Sequence, residues 1–258
     1  MTLFLDSIQS KFSIIGVTET WLSEYDSYYD IDDYTLCVNG RAEGKRGGGV
    51  GVYVKNDFDF FRNYDLDVNT SCMESIFVEI NNPQTNIILG VIYRPPSHSV
   101  QSFLEEFVPI LDIVNRENKI LYLIGDYNIN LLNVQSCQNV NDFVDVLMTN
   151  SLCPIIHYPT RITNNSQTLI DNILTNNLDY IHSGLFLVDI SDHLPIYFVS
   201  KFCPNMNRQE STDFYVRDFK QENVRKFVEI VGNSDWTVLS EDANVAYELF
   251  LSKFLRIY

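Results

Sequence analysis

One stretch, Ile120-Leu121-Tyr122-Leu123-Ile124-Gly125-Asp126-Tyr127-Asn128, decides the fold of this chain. Its apolar run, rich in branched and aromatic side chains, predicts a buried strand. The run stops at a glycine, and an aspartate and an asparagine follow almost at once. A buried strand that ends in hydrolytic side chains predicts a polar pocket at the edge of a sheet.

A second segment follows the same pattern, because Ile190-Ser191 leads directly to Asp192-His193. We expect both segments to be strand ends that contribute to one acidic pocket able to bind a metal ion. A metal ion held by carboxylates beside a histidine is suited to attack on a phosphate ester.

The length of 258 residues fits one large domain, or a domain of about 200 residues with an appendage. The hydrophobic fraction of 45% and the charged fraction of 20% exclude disorder as the main state. The net charge of −16 disfavours broad nonspecific binding to nucleic acids, which needs a basic face. A nuclease is still compatible with this charge, because a divalent cation reverses the local field in its own cleft.

The cysteine pattern fits neither a zinc site nor a disulfide framework, because the five cysteines are widely spaced and form no CxxC pair. The first 15 residues contain polar and charged positions and lack the core of a signal peptide. No apolar stretch approaches the roughly 20 residues of a membrane span. We therefore expect a soluble intracellular protein with reduced thiols and no membrane partner.

The order of segments predicts a layered α/β or α+β domain. Strand patterns occur at 12–17, 49–54, 75–80, 87–93, 120–124, 169–174, 180–188 and 194–202, and helical spacing occurs at 102–115 and 140–148. After residue 202 the chain becomes turn-like, and two more helical stretches follow at 219–231 and 243–258. We therefore expect a domain over 1–202 and a helical extension over 203–258.

Several predicted strands end in acidic or polar residues: Glu19, Tyr93, Asp126, Asn128, Asp192 and His193. Asp171 is expected inside the predicted strand 169–174, where an acid is costly unless it is paired or hydrogen-bonded. Each has a structural alternative. The Gly-Asp-x-Asn motif is a common turn, an Asp-His pair is usually a surface feature, and a buried Asp171 could anchor hydrogen bonds. Their shared position favours a functional site, because the polar ends of one sheet converge in space.

The motifs resemble those of the endonuclease/exonuclease/phosphatase superfamily, and within it the endonuclease domain of non-LTR (LINE-type) retrotransposons. Those that carry the resemblance are Thr18-Glu19-Thr20-Trp21, Tyr93-Arg94-Pro95-Pro96, Gly125-Asp126-Tyr127-Asn128, Ile170-Asp171-Asn172-Ile173-Leu174 and Ser191-Asp192-His193-Leu194-Pro195. The segment after Asp235-Trp236 resembles the connection to a reverse transcriptase. The resemblance covers nearly the whole chain and implies a four-layer α/β sandwich, with two packed mixed sheets flanked by helices as in DNase I.

The resemblance also implies roles for individual residues. Glu19 would be the principal metal ligand, with Asp192 contributing or lying nearby, and Asp126 would activate the attacking water or assist the leaving group. Asn128 and Tyr93 would bind the scissile phosphate. His193 would face the phosphate as well, oriented by Asp171. Oxygen ligands without thiolates favour Mg²⁺, with Mn²⁺ as a substitute, over zinc.

Further residues could contact the substrate. Thr160 occupies a position where the family places a phosphate-contacting residue, although a plain turn is the alternative. Arg41, Lys45 and Arg46 form the densest basic cluster and could contact the DNA backbone, or they could belong to a solvated glycine-rich loop. Arg94 could reach the substrate strand, or the prolines that follow it could merely rigidify the loop.

The chain departs from the family pattern at its start, because Met1 falls in the helix that should follow the first strand. We expect this strand, and the asparagine it normally carries, to be missing, and the chain to be a piece of a longer protein that included a reverse transcriptase. The function that the resemblance implies is Mg²⁺-dependent nicking of DNA in the nucleus to prime reverse transcription. An inactive remnant and a phosphatase of the same superfamily are the alternatives.

Overall fold

The computed structural model describes residues 11–22, 29–40, 47–81, 86–117, 119–179, 182–188, 190–200, 221–236 and 243–257. The chain divides into two compact units, Met1–Arg208 and Gln209–Tyr258. The predicted boundary after residue 202 lies close to this division, and the resemblance of the second unit to a connecting segment stays a prediction.

A seven-stranded mixed sheet forms the centre of the first unit. Its strands are β4 (Phe60–Arg62), β5 (Val68–Asn69), β6 (Glu74–Ile80), β7 (Ile87–Tyr93), β8 (Ile120–Asp126), β9 (Cys153–Pro154) and β12 (Asp171–Thr175). The order is β4-β6-β7-β8-β12-β9, with β5 also paired to β6. Only β7 and β8 run parallel in this sheet, and the other pairs are antiparallel.

A helix connects the two parallel strands, as a parallel pair requires. This helix, α1 (Val100–Arg116), begins at Ser99, whose hydroxyl accepts a hydrogen bond from the backbone N–H of Ser102. Its apolar face packs on one side of the large sheet together with α2 (Gln138–Thr149). Phe103, Phe107 and Phe143 are fully buried in this core.

Gly125 is required where β7 and β8 approach each other. It pairs with Ile92 across the two strands. A Cβ atom at Gly125 would lie 2.0 Å from the backbone oxygen of Ile92, so that no other residue fits without separating the strands. The glycine that precedes Asp126 therefore lets the strand stay paired up to the aspartate.

A smaller sheet packs on the other side of the large sheet. It consists of β1 (Ile14–Thr18), β2 (Tyr34–Asn39) and β3 (Val50–Lys55) in the order β1-β3-β2, and its described pairs are antiparallel. The buried residues between the two sheets include Val52, Ile76 and Val91. Strand β2 was not predicted, because its sequence alternates weakly and acidic turn residues precede it.

Two hairpins complete the first unit. They are β10 (Arg161–Ile162) with β11 (Gln167–Thr168), and β13 (His182–Leu185) with β14 (Ile196–Val199). A third core, built on Ile155, Ile156, Leu169 and Ile173, packs against residues of β13 and β14. The second unit contains α3 (Gln221–Asn233) and α4 (Ala243–Ile257), where Trp236 contacts Phe250 and Phe254.

The predicted α/β sandwich of the DNase I type is confirmed, with helices over the large sheet and two sheets packed face to face. Two local predictions were wrong. Residues 190–195 form the connection between β13 and β14, not the end of a buried strand, and Ile190 is exposed. Asp171 begins β12 and does not lie inside it.

The N-terminal segment before residue 11, on which the expected loss of a first strand depends, lies outside the described residues. No helix in the described part of the chain is both long and apolar enough to cross a membrane.

Candidate active site

The candidate site lies at the edge of the large sheet where β7 and β8 end and β12 begins. Tyr93, the last residue of β7, is the register partner of Asp126, the last residue of β8. Asp126 is also the register partner of Asp171 on β12. Strand β8 pairs with β7 in parallel and with β12 in antiparallel orientation. The last residues of β7 and β8 and the first residue of β12 therefore lie side by side.

Asp126 is buried and is held by the turn that follows it. The backbone N–H and the side-chain amide of Asn128 donate to the two carboxylate oxygens of Asp126 at 2.9 and 3.0 Å. The same amide also donates to the backbone oxygen of Arg94 at 2.9 Å. Asn128 has a positive φ of 47°, a conformation that asparagine tolerates better than most residues. The side-chain amide of Asn128 thus donates once to Asp126 and once to the backbone of Arg94, so Asn128 could donate to a phosphate only by giving up one of these bonds.

The pKa of Asp126 is raised to about 7, first because burial removes water from its carboxylate and then because of the charge of Asp171. The charge of Glu19 contributes in the same direction, whereas the hydrogen bond from the Asn128 backbone and the charge of His193 lower the pKa. A carboxyl group with a pKa near neutrality is suited to accept and release a proton at physiological pH.

Asp171 and His193 form a carboxylate–imidazole pair. Nδ1 of His193 lies 3.0 and 2.9 Å from the two carboxylate oxygens of Asp171. This hydrogen bond is the main reason why the pKa of His193 is raised above its usual value, although burial opposes the change. Because Nδ1 is held by Asp171, the other ring nitrogen, Nε2, is the atom left to act on a substrate.

Thr160 is buried beside this pair and hydrogen-bonds the backbone next to both of its residues. Its side chain is fully buried, and its hydroxyl accepts the backbone N–H groups of Ile170 at 3.3 Å and Asp171 at 3.2 Å. Its backbone oxygen accepts the N–H of Leu194, next to His193, at 2.7 Å. Thr160 therefore has no exposed surface and supports the backbone of Asp171 and Leu194, and its expected contact with a phosphate stays a prediction.

Glu19 joins the site from the smaller sheet. It directly follows β1, and its Oε1 accepts a hydrogen bond of 2.6 Å from the phenol of Tyr93. Its side chain is exposed and its backbone has a positive φ of 52°. Non-glycine residues held in this conformation are strained and cluster at functional sites.

A glycine loop holds the residues that follow Glu19. The N–H groups of Thr20 and Trp21 donate to the backbone oxygens of Gly49 and Gly48 at 3.2 and 2.9 Å. Gly49, which has a φ of 85°, donates its own N–H to the buried carboxylate of Glu74. The sequence analysis did not predict that Glu74 accepts this hydrogen bond from Gly49. The only sign in the sequence is that an acidic residue directly precedes the apolar strand 75–80.

Two of the predicted residues have other partners. The side chain of Asp192 is 61% exposed and forms an ion pair of 2.6 Å with Arg161. Arg94 is 4% exposed, and its guanidinium donates to the backbone oxygens of Asn128 and His98. Arg94 therefore supports the turn after Asp126 in this structure, and its expected contact with a substrate strand stays a prediction. Arg41, Lys45 and Arg46 lie outside the described residues.

One group of side chains in the described part of the chain could hold a metal ion. Ligand atoms of Asp126, Asp171 and His193 all lie within 4.8 Å of one another. Glu19 and Asp192, the predicted ligands, do not belong to this group. The negative charge of Asp171 contributes to the raised pKa of Asp126. A divalent cation bound between these two carboxylates would reduce their repulsion. A donor set of two carboxylates and one imidazole can hold a divalent metal ion.

The fold is an α/β sandwich with an aspartate and an Asp-His pair at the ends of its central strands. The chain belongs to the Endonuclease/Exonuclease/phosphatase family, whose sequence model matches residues 3–193.

Solved structures of the same fold include the endonuclease domain of TRAS1, a telomere-specific non-LTR retrotransposon. It is 17% identical, with a TM-score of 0.59 over 76% of this chain and 89% of that domain. The AP endonuclease LMAP from Leishmania major is 14% identical, with a TM-score of 0.58 over 75% and 79% of the two chains. The catalytic domain of APE2 from Xenopus laevis is 14% identical, with a TM-score of 0.56 over 78% and 89%. No curated protein sequence matches the chain.

Proposed function

We propose that the chain is a Mg²⁺-dependent phosphodiesterase that nicks DNA. The observation that carries the proposal is the convergence of Asp126, the Asp171–His193 pair and the Glu19–Tyr93 pair at one sheet edge. These groups combine a proton acceptor, an imidazole that favours its charged form and a phenol. The phosphate gains negative charge as water attacks it, and the imidazole and the phenol can donate hydrogen bonds that stabilise this charge in the transition state.

Asp126 is assigned as the proton acceptor for the attacking water. Its carboxylate is fixed in place by Asn128, and in the metal-free site its pKa of about 7 lies close to neutral pH. His193 is assigned to the phosphate oxygens, where an imidazolium would stabilise developing charge. Asp171 keeps Nδ1 of that ring occupied and thus directs Nε2 toward the substrate.

Glu19 is assigned as the principal metal ligand, with Mn²⁺ as a substitute for Mg²⁺. Its exposed carboxylate lies at the site, is bonded to Tyr93 and influences the pKa of Asp126. A divalent cation would supply Lewis-acid stabilisation of the phosphate and offset the charge of the clustered carboxylates. Asp192 stays a candidate second ligand, provided that it gives up its ion pair with Arg161.

The biological setting is part of the proposal. The similarity of the fold to the TRAS1 domain, together with the Glu-Thr-Trp and Tyr-Arg-Pro-Pro motifs, supports an origin in a non-LTR retrotransposon. A reverse transcriptase would then be the functional partner, because a nicked strand exposes a 3′-hydroxyl that can prime synthesis. The substrate would be chromosomal DNA, and the place of action would be the nucleus.

The test is a nicking assay on supercoiled plasmid with Mg²⁺, with EDTA as the metal-free control. We expect relaxed circles from the wild-type chain, and a loss of at least about 10²-fold in rate for Asp126→Asn and for His193→Ala. Asp112→Asn, which changes an exposed carboxylate on α1, is the matched control and should nick at the wild-type rate.

A folded wild-type sample that nicks no plasmid with either Mg²⁺ or Mn²⁺ would overturn the proposal and favour the inactive remnant. Equal nicking by Asp126→Asn would point to a contaminating nuclease. Release of phosphate from a phosphomonoester, with the plasmid left intact, would favour the phosphatase alternative.

A further inference from the structure

Trp21 is a large apolar side chain that the fold leaves in solvent. Its side chain is 67% exposed, two residues after Glu19. A single exposed apolar residue is common on protein surfaces and needs no explanation by itself. The backbone that carries this residue is what sets it apart.

The backbone of Trp21 is strained and held in place. Its φ is 56°, in the left-handed region that tryptophan rarely adopts, and its N–H donates to Gly48 at 2.9 Å. Such strain persists only where the surroundings enforce it, and it is concentrated at ligand-binding positions. The chain therefore fixes the backbone that carries an exposed indole.

The enforcing surroundings belong to the site itself. Gly47, Gly48 and Gly49 all have positive φ values, and a Cβ atom at Gly49 would lie 2.7 Å from Oγ1 of Thr20. Gly49 is bonded to Glu74, which is the register partner of Tyr93 on β7. One continuous set of contacts thus fixes the carboxylate of Glu19 and the backbone that carries the indole of Trp21 relative to the large sheet.

The acidity of the chain explains why such an indole would matter to a nuclease. With a net charge of −16, the protein gains little from general attraction to phosphates. Stacking of an aromatic ring on a base supplies affinity that does not depend on neutralising phosphates. Bases inside an intact duplex already stack on their neighbours, so only an unpaired or unstacked base offers a free face.

We propose that Trp21 is a stacking platform for an unpaired or unstacked base beside the phosphate that the site cleaves. The inference rests on the proposed function and narrows its substrate class to DNA that is distorted or locally melted. It makes Trp21 a substrate-binding residue whose contribution is insensitive to salt.

The first experiment measures binding of labelled DNA by fluorescence anisotropy with Mg²⁺ present and with phosphorothioate linkages that slow cleavage. The probes are a duplex with a short unpaired bubble, the same duplex with abasic sites in the bubble, and a fully paired duplex. The proteins are the wild type, Trp21→Ala, Trp21→Phe and the control Tyr29→Ala. The side chain of Tyr29 is 55% exposed, as a control for Trp21 requires. Its backbone oxygen accepts a hydrogen bond from the phenol of Tyr53, which lies farther along β3 than Gly49 and Val50 beside the site.

We expect Trp21→Ala to weaken binding of the bubble by about tenfold, and Trp21→Phe to retain most of the affinity. Tyr29→Ala should bind like the wild type. On the abasic probe the wild type and Trp21→Ala should bind equally, because the stacking partner is missing. The ratio of the affinity of the wild type to that of Trp21→Ala for the bubble should stay constant as the salt concentration increases, because stacking releases no counterions.

A second readout follows the indole directly. The chain contains two tryptophans, so Trp236→Phe leaves Trp21 as the only one. Addition of the bubble probe should quench its fluorescence, and the abasic probe should not. Trp21→Phe, which leaves Trp236, should show no quenching.

Equal affinity of Trp21→Ala and the wild type for the bubble, with no quenching of Trp21, would overturn the inference. So would an equal loss of affinity on the bubble and abasic probes, which would indicate a general defect of the loop. These outcomes differ from a failure of the proposed function, in which the wild type neither binds any probe nor nicks plasmid.

Discussion

Asp126 and Glu19 belong to the same site, but the chain holds them by different means. Asp126 ends a strand inside the seven-stranded sheet, where it is buried and bonded twice by Asn128. Glu19 follows an outer strand of the smaller sheet, and it is exposed on a strained backbone. The large-sheet half of the site thus holds a buried carboxylate whose pKa is shifted by its surroundings, and the small-sheet half holds a carboxylate that is exposed to solvent.

The glycines in the two halves show the same contrast. Gly125 serves close approach, because backbone of the neighbouring strand occupies the space that a Cβ atom would need. Gly49 serves backbone conformation, because its φ of 85° is one that other residues rarely adopt. Glycine is therefore needed beside Asp126 because the neighbouring strand leaves no space for a side chain. It is needed near Glu19 because the backbone there adopts a positive φ.

The largest expected effect is on catalysis in the large-sheet half. Asp171→Asn keeps the size of the side chain but removes the charge that orients His193 and favours its protonated form. We expect the nicking rate to fall by about 10³-fold with the melting temperature little changed, which plasmid nicking and calorimetry will measure. Asp112→Asn is the control, and wild-type activity of Asp171→Asn would show that the pair is only structural.

The second effect is a pH dependence of stability in the metal-free protein. The folded-state pKa of Asp126, about 7, lies above its ordinary value of 3.8, so folding favours the protonated carboxyl. Its contribution to stability is fully present below pH 3.8 and is lost as the pH rises through about 7. The raised pKa of His193 acts in the same direction, because its contribution is lost as the pH rises through its folded-state pKa, above 6.5.

We therefore expect the free energy of unfolding in EDTA to fall between pH 4 and pH 7 by on the order of 3 kcal/mol. Asp126→Asn should remove most of this slope, and urea unfolding at a series of pH values will measure it. Mg²⁺ should stabilise the wild type more at pH 8 than at pH 5, because the ligands must be ionised to bind it. A slope unchanged in Asp126→Asn would contradict the assignment of the raised pKa.

The smallest effect is expected in the small-sheet half. Gly49→Ala forces a side chain onto a positive φ and against the hydroxyl of Thr20, which can partly rotate away. We expect a loss of about 1–2 kcal/mol in stability and about tenfold in nicking, because Glu19 and Trp21 shift with the loop. Gly232→Ala is the matched control, since a Cβ atom there meets nothing within 4 Å. Unchanged nicking by Gly49→Ala would show that the loop does not position Glu19.

Much of the fold could be predicted from the sequence, because the long apolar strands and the amphipathic helices carry strong periodic patterns. Strands β7 and β8 and helices α1 and α2 were placed within a few residues of their observed ends. Short or weakly patterned elements such as β2 could not be predicted, because pairing with β3 stabilises this strand more than its own composition does.

The candidate site could be predicted less evenly. Asp171 bonds the ring of His193 as the resemblance implied, whereas the bond between Tyr93 and Glu19 was not foreseen, and the catalytic roles of all four residues stay predictions. The burial of Thr160 and Arg94 could not be inferred, because a side chain next to a site can face the substrate or support the backbone, and sequence does not distinguish the two. The bond between Glu74 and Gly49 joins residues that are distant along the chain, which a local pattern cannot show.

The sequence by itself determined the chemistry of this protein, because the residue types and their order identify the family and supply the carboxylates, the imidazole and the phenol. Only the tertiary structure decided how they act together. Strand register places Asp126 beside both Tyr93 and Asp171. Burial moves the pKa of Asp126 to about 7, and the glycine loop leaves Trp21 in solvent beside Glu19. Proton affinity and exposure depend on neighbours that come together only when the chain folds.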